Sequence, residues 1–255
     1  MTPTSLLLAT LAAALGSAIN SIAGGGTLVT FPMIVALGVN PLVANATSTV
    51  ALWPGAVGSL WGYRRELRGG RAWVVGFAVP SLVGGALGAL LLLATGAERF
   101  ARIVPFLVLG ATVLFMLHGP LIRWLRGAGA GRPAPAAPPW GFVVAQVAVG
   151  TYGGFFGAGA GILMLAVLGL VGLTNIHQMN GLKVWGGLCI NLVAAVLFGA
   201  NGIVLWPLAL AMTVGSLVGG YGGARLAQRV GQTMVRRAVV VIGLAAFVWL
   251  LTRPV

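Results

Sequence analysis

Lys183 is the one lysine of the sequence, and it stands inside an apolar run covering residues 179–198. An ammonium in such a run costs about 2.5–3.5 kcal/mol on membrane-insertion scales, so a residue of this kind is a functional candidate by default. Asn180 lies three residues before it and Asn191 eight after, which gives a polar stripe at helical spacing. The competing reading has Lys183 close to the start of its helix and snorkelling to the headgroups. A match of the chain with itself places Asn45 on Asn180 and Ser48 on Lys183. Amides and hydroxyls bond oxygens without carrying charge, although each can equally turn back on its own helix. Asn20, Ser21, Tyr152 and His177 are secondary candidates of the same kind.

Two glycine clusters supply the second signal. Gly24, Gly25 and Gly26 precede Thr27, while Gly157, Gly159 and Gly161 precede Ile162, and each cluster interrupts about 35 otherwise apolar residues. Glycine costs about 1 kcal/mol relative to alanine within a helix, so the clusters are expected to break it. Half-helices beginning at Thr27 and Ile162 would aim unpaired N–H groups and a partial positive charge into the gap, an arrangement that favours an anion. The plainer reading is that these glycines only let helices approach closely; their recurrence in both halves favours the first.

Other chemistries lack their residues. There is no aspartate, and Glu66 and Glu98 stand among loop arginines, which leaves no buried carboxylate to bind a cation or relay protons. No phosphate-binding loop, dinucleotide fingerprint or metal-spaced His/Cys set occurs, so neither a cofactor nor a metal nor ATP-driven pumping is expected. Cys189 stands alone and reads as a small core residue. His177 is the one titrating group near the polar stripe, and His118, next to Gly119 and Pro120, has no such context. An intramembrane hydrolase would need a nucleophile and base on facing helices, and the histidines stand beside no serine motif. No enzyme is expected.

The elements that must position these residues follow from composition. Of 255 residues, 59% are hydrophobic and 7% charged, and mean hydropathy is +1.03; a soluble domain has about 25% charged residues. A membrane-spanning helix needs about 20 apolar residues, and residues 72–94, 103–121, 178–200, 203–223 and 237–251 meet or approach that length. Residues 6–14 look like the core of a signal peptide, but no Lys or Arg precedes them and they have a counterpart near 140–152, so they are read as part of the fold. The net charge of +13 comes from arginines grouped between apolar runs at 64–71, 99–102, 123–132 and 225–237. That is the pattern of cytoplasmic loops and not of a nucleic-acid-binding face.

The chain is written twice. At an offset of 134, later 135, Gly16 matches Gly150, Gly25 matches Gly159, Gly38 matches Gly172 and Asn45 matches Asn180. Ser81-Leu82-Val83-Gly84-Gly85 recurs as Ser216-Leu217-Val218-Gly219-Gly220. The expected fold is an all-α integral membrane protein of two homologous repeats, 1–125 and 140–255, joined by a Pro/Gly-rich cytoplasmic linker at 126–139 whose prolines forbid a helix. Each repeat is a Gly-broken opening segment followed by three transmembrane helices. If the opening segment crosses once, loops 64–71 and 225–237 fall on opposite sides, against the positive-inside rule. If it returns as a hairpin, the repeats are inverted and both loops face the cytoplasm with 123–132; this arrangement is preferred, and the termini are expected on opposite faces.

At these residues the sequence resembles the sulfite exporter TauE/SafE family, also grouped as the toluenesulfonate uptake permeases. The resemblance rests on Asn20-Ser21-Ile22-Ala23-Gly24-Gly25-Gly26-Thr27-Leu28-Val29 leading to Phe31-Pro32, on Gly38-Val39-Asn40-Pro41 with Ala44-Asn45-Ala46-Thr47-Ser48, and on Gly157 to Gly161 with Asn180-Gly181-Leu182-Lys183. Ala158 and Ala160 depart from a fuller glycine run. The resemblance implies a secondary transporter of sulfite, sulfonates or related sulfur oxyanions in the bacterial cytoplasmic membrane. The expected partners are a small anion and the bilayer, with room for a coupling proton or sodium ion and for a homo-oligomer. The alternative is a membrane scaffold or assembly factor without transport.

Overall fold

The computed structural model describes residues 2–22, 24–67, 70–129, 135–226 and 232–252, and all regular secondary structure among them is helical. The helices are α1 (Pro3–Ile22), α2 (Thr27–Ala36), α3 (Pro41–Gly62), α4 (Arg71–Thr95), α5 (Ala97–Gly129), α6 (Trp140–Phe155), α7 (Ala160–Leu170), α8 (Ile176–Ala200), α9 (Trp206–Leu226) and α10 (Gln232–Thr252). Five among the described residues are long and apolar enough to cross a bilayer, in α1, α4, α5, α8 and α10. At 1.5 Å per residue, α2 and α7 are only about 15 Å long, half the hydrocarbon thickness. Large apolar side chains such as Leu87, Phe106, Val196 and Val218 point outward, as a lipid-facing surface requires.

Both glycine clusters break their segments. Gly24 takes φ +82°, and Gly157 and Gly159 both take +81°, a region that L side chains avoid, so the helical ladder cannot run through them. Helix α2 begins at Thr27 as expected, whereas α7 begins at Ala160, two residues before the expected Ile162. The arginine-rich α5 continues to Gly129, four residues into the stretch read as extended linker; the prolines lie beyond it, at 133 and later. Ala23, Arg68, Arg132, Arg229 and Arg253 lie outside the described residues.

Small residues decide which helices meet. The most extensive pairings are α1 with α9 and α4 with α6. On α9, Gly215, Gly219 and Gly223 lie on Thr10, Ala14 and Ala18 of α1, so the two helices run parallel. On α4, Gly84 abuts Val147 and Gly150 of α6, and Gly88 abuts Thr151 and Gly154, again in parallel. A side chain at these glycines would collide with the facing backbone, which is how a membrane interface gains close contact. Helix α3 packs on α9 and α4 on α8, α5 meets α10, and α3 crosses α8. Each of these pairings has its counterpart five helices on, or is its own counterpart.

The same contacts fix directions around the first break. Ser21 and Ser59 hydroxyls lie 2.5 Å apart, and Ser17 faces Gly55, so α1 and α3 run parallel with matching depth. The short α2 is all that connects the end of α1 to the start of α3, and its Thr30 lies against Gly16. At the centre, Trp53 Nε1 of α3 donates to the Leu188 carbonyl of α8 over 3.1 Å. Buried phenylalanines Phe31, Phe100 and Phe156 pack around the second break.

Candidate functional site

Where the two breaks meet, the backbones touch. A methyl added to Gly24 or to Gly161 would lie 3.4 Å from the other's Cα, and the Lys183 side chain packs against both glycines. Around this crossing is a cavity offering about 70 Å³ to the centres of water-sized molecules. One water position takes roughly 10–15 Å³ on that measure, so a small polyatomic ion fits.

The lining comes in stripes at helical spacing. From α1 come Ser17, Asn20 and Ser21, followed by Gly24 and Thr27; from α3, Thr49, Leu52, Ala56 and Ser59. The second half gives Gly153, Phe156, Gly157, Ala160, Gly161 and Met164, and α8 gives Lys183, Val184, Gly187, Ile190 and Asn191. Within α1, α3 and α8, spacings of three and four put the lining residues on one helix face, and the second-half set runs across the break from α6 to α7. Lys183, Gly187 and Asn191 form such a stripe, with glycine in the middle leaving space above the ammonium.

Lys183 is 4% exposed, and its Nζ has no hydrogen-bond partner among the described residues. Among the described residues no carboxylate lines the cavity. Glu98 pairs with Arg102 on the exposed first turn of α5, and Glu66 belongs to the turn between α3 and α4. Among the described residues the site therefore has a buried cation without a counter-ion. The hydroxyls nearby are partly engaged: Ser21 Oγ lies 3.0 Å from the Ser17 carbonyl and 3.2 Å from that of Gly220. Asn20, Thr27, Thr49 and Asn191 add polar groups to the same wall.

Of the residues singled out by sequence, Gly24, Thr27, Gly161, Lys183, Asn20, Ser21 and Asn191 line the cavity. The others serve the frame around it. Gly25 is packed under the Phe115 ring and Gly26 against Gly16. Ser48 bonds Thr30 at 2.6 Å, and Asn45 donates to the Phe155 carbonyl. Gly159 caps α7, Ile162 is fully buried and Asn180 is buried outside the lining. The Tyr152 hydroxyl donates to the Ala158 carbonyl across the second break, and His177 is exposed.

The expected backbone donors are spent on the turns themselves only in part. The Gly24 amide donates to the Ile19 and Asn20 carbonyls, and that of Ile162 donates to Gly159. The Gly161 amide, at the cavity wall, has no backbone acceptor among the described residues and stays a candidate donor beside Lys183 and the side-chain hydroxyls and amides. Ser17, Thr49 and Ser59 were missed. Ser17 lies one turn before Ser21 and Thr49 one turn after Asn45, a spacing that could have found them; Ser59 had no such signal.

The family model described as sulfite exporter TauE/SafE matches residues 9–250. The chain belongs to this family. A Haemophilus influenzae protein described as a probable membrane transporter is 32% identical over 229 residues, covering 89% of this chain and 86% of its own. Escherichia coli strain K12 has one described as probable membrane transporter protein YfcA, 30% identical, covering 90% and 83%. A Sinorhizobium protein, also described as a probable membrane transporter, is 29% identical, covering 95% and 91%. No solved structure matches the chain. As a TauE/SafE member with five span-length apolar helices among its described residues, the protein is a multi-pass bacterial membrane transporter.

Proposed function

We propose that this TauE/SafE protein is a secondary transporter that moves one small oxyanion, of the sulfite or sulfonate kind, across the cytoplasmic membrane by alternating access. The observation that carries the reading is Lys183: a buried ammonium, unpartnered among the described residues, in a cavity that no carboxylate lines. Burying an unpaired charge is costly, and a ligand that brings the opposite charge removes the penalty. Neither of the two glutamates lines the cavity, so among the described residues the countercharge is left to a ligand. The sulfur oxyanion follows from the family description, and the hydroxyls and amides beside Lys183 suit any such anion.

Alternating access rests on two inverted repeats. Parallel α1 and α3, joined by a 15 Å α2, support a re-entrant opening segment that returns to the face it entered from. Each half then crosses three times, in α3, α4 and α5 and in α8, α9 and α10, while α1 enters and α2 returns. Two odd counts make six crossings, so both termini lie on one face and not, as first expected, on opposite faces. Paired broken segments meeting at the centre of such repeats are the usual setting of a transporter's substrate site.

Uptake of labelled sulfite and small sulfonates into proteoliposomes tests the reading, with imposed proton and sodium gradients to find a coupling ion. Saturable uptake of at least one of these anions is expected. Purified protein that moves none of them under any gradient would remove the proposal.

A further inference from the structure

We infer that Asn45 is a positioning residue: from α3 it pins the open end of α6, and through it the cavity wall formed by Phe156 and Gly157. Its effect on uptake rests on the transport reading above, whereas its effect on the α6 end does not.

Asn45 is 1% exposed and lies outside the cavity lining, so it does not meet a ligand there. Its Nδ2 donates over 3.0 Å to the carbonyl of Phe155, the last residue of α6 and 110 positions away in the chain. Carbonyls in the last turn of a helix have no partner within it. Beyond Phe155 the chain leaves helical geometry at once: Phe156 has φ −136° and Gly157 has φ +81°. From its own side this turn is held by Tyr152, whose carbonyl accepts the Gly157 amide and whose hydroxyl donates to Ala158 over 2.6 Å. Asn45 is the tie from the opposite half.

The other end of the same amide shows why asparagine stands here. Asn45 Oδ1 is sealed from solvent and has no partner among the described residues, so only the N–H₂ group does useful work. Aspartate and threonine cannot replace it: a carboxylate offers a carbonyl only acceptors, and a threonine hydroxyl sits closer to the backbone. A movement of α3 relative to α6 must break or carry this bond, which links the halves at the wall that the ligand touches.

Full-length wild type, Asn45→Leu and Asn45→Ala are compared by amide hydrogen exchange in detergent and by uptake in proteoliposomes. Leucine keeps the branched shape at a larger volume and removes the donor, and alanine removes the donor without overpacking. Exchange over residues 155–161 should quicken about fivefold, the worth of one ordinary hydrogen bond, while residues 206–226 exchange as in wild type. KM for the transported anion should rise by about the same factor. Unchanged exchange over 155–161 overturns the inference, as does faster exchange with an unchanged KM. If neither apolar variant accumulates, Asn45→Ser provides the same comparison with the same outcomes. A wild type that transports no anion removes the function proposed above and leaves the exchange result to decide this one.

Discussion

At the scale of residues, the site trades stability for charge. Lys183 is buried with its ammonium unpartnered among the described residues, a cost that insertion scales cap at about 2.5–3.5 kcal/mol, their value at a helix centre. Lys183→Met keeps the stem that packs on Gly24 and Gly161 and removes the charge. The variant should unfold at a higher temperature than wild type in detergent and lose at least about tenfold in uptake, the measure of about 1.4 kcal/mol of lost binding. A lower melting temperature would mean that the ammonium is satisfied by a group of the fold. Gly161→Ala tests the crossing itself, because its methyl would come within 3.2 Å of Lys183 Cδ and 3.4 Å of Gly24 Cα. The expected outcome is a folded protein with a raised KM. An unchanged KM would show that the lysine stem need not lie where it does.

Helices are held together here by glycine, so the element scale has its own failure mode. Gly219 of α9 has the Ala14 carbonyl of α1 directly against it, and Gly88 of α4 has that of Thr151 of α6. Gly219→Ala and Gly88→Ala should each destabilise the protein by about 1–3 kcal/mol through overpacking, read as a drop in thermal midpoint. Gly187→Ala, with open space around it, should raise the midpoint slightly, because alanine favours the helix over glycine. Much of this level was legible beforehand. Repeated Ser-Leu-Val-Gly-Gly marked matching positions of α4 and α9, and the glycine clusters marked both breaks. What stayed hidden depended on partners distant in sequence. Nothing in the stretch from Asn45 to Ser48 shows that the asparagine reaches Phe155 and the serine reaches Thr30. Likewise, the composition of the glycine turns predicted free amides, but the turn geometry consumes those of Gly24 and Ile162. The two-residue error at α7 has a similar origin, since Ala160 can begin a helix as soon as Gly159 has made the turn.

For the whole molecule, the account requires six crossings with arginine-rich loops on one face. The turn after α3 carries exposed Arg64 and Arg65, and the start of α5 carries exposed Arg99 and Arg102. In a Cys189→Ala background, a membrane-impermeant thiol reagent added to intact cells should label Arg99→Cys and spare Arg64→Cys. Labelling of both positions, or of Arg64→Cys alone, would contradict the inverted arrangement. Composition made the multi-pass membrane class legible, because lipid imposes its demands on every residue of a span and so leaves a signal that averages well, and the sidedness read from the arginines is what the labelling tests.

The central claim is that Lys183 receives the charge of a transported anion, and the most direct measurement is initial-rate uptake of labelled sulfite by wild type and Lys183→Met in matched proteoliposomes. The account predicts saturable uptake by wild type that falls at least about tenfold in the variant. Equal rates from the two proteins would contradict it.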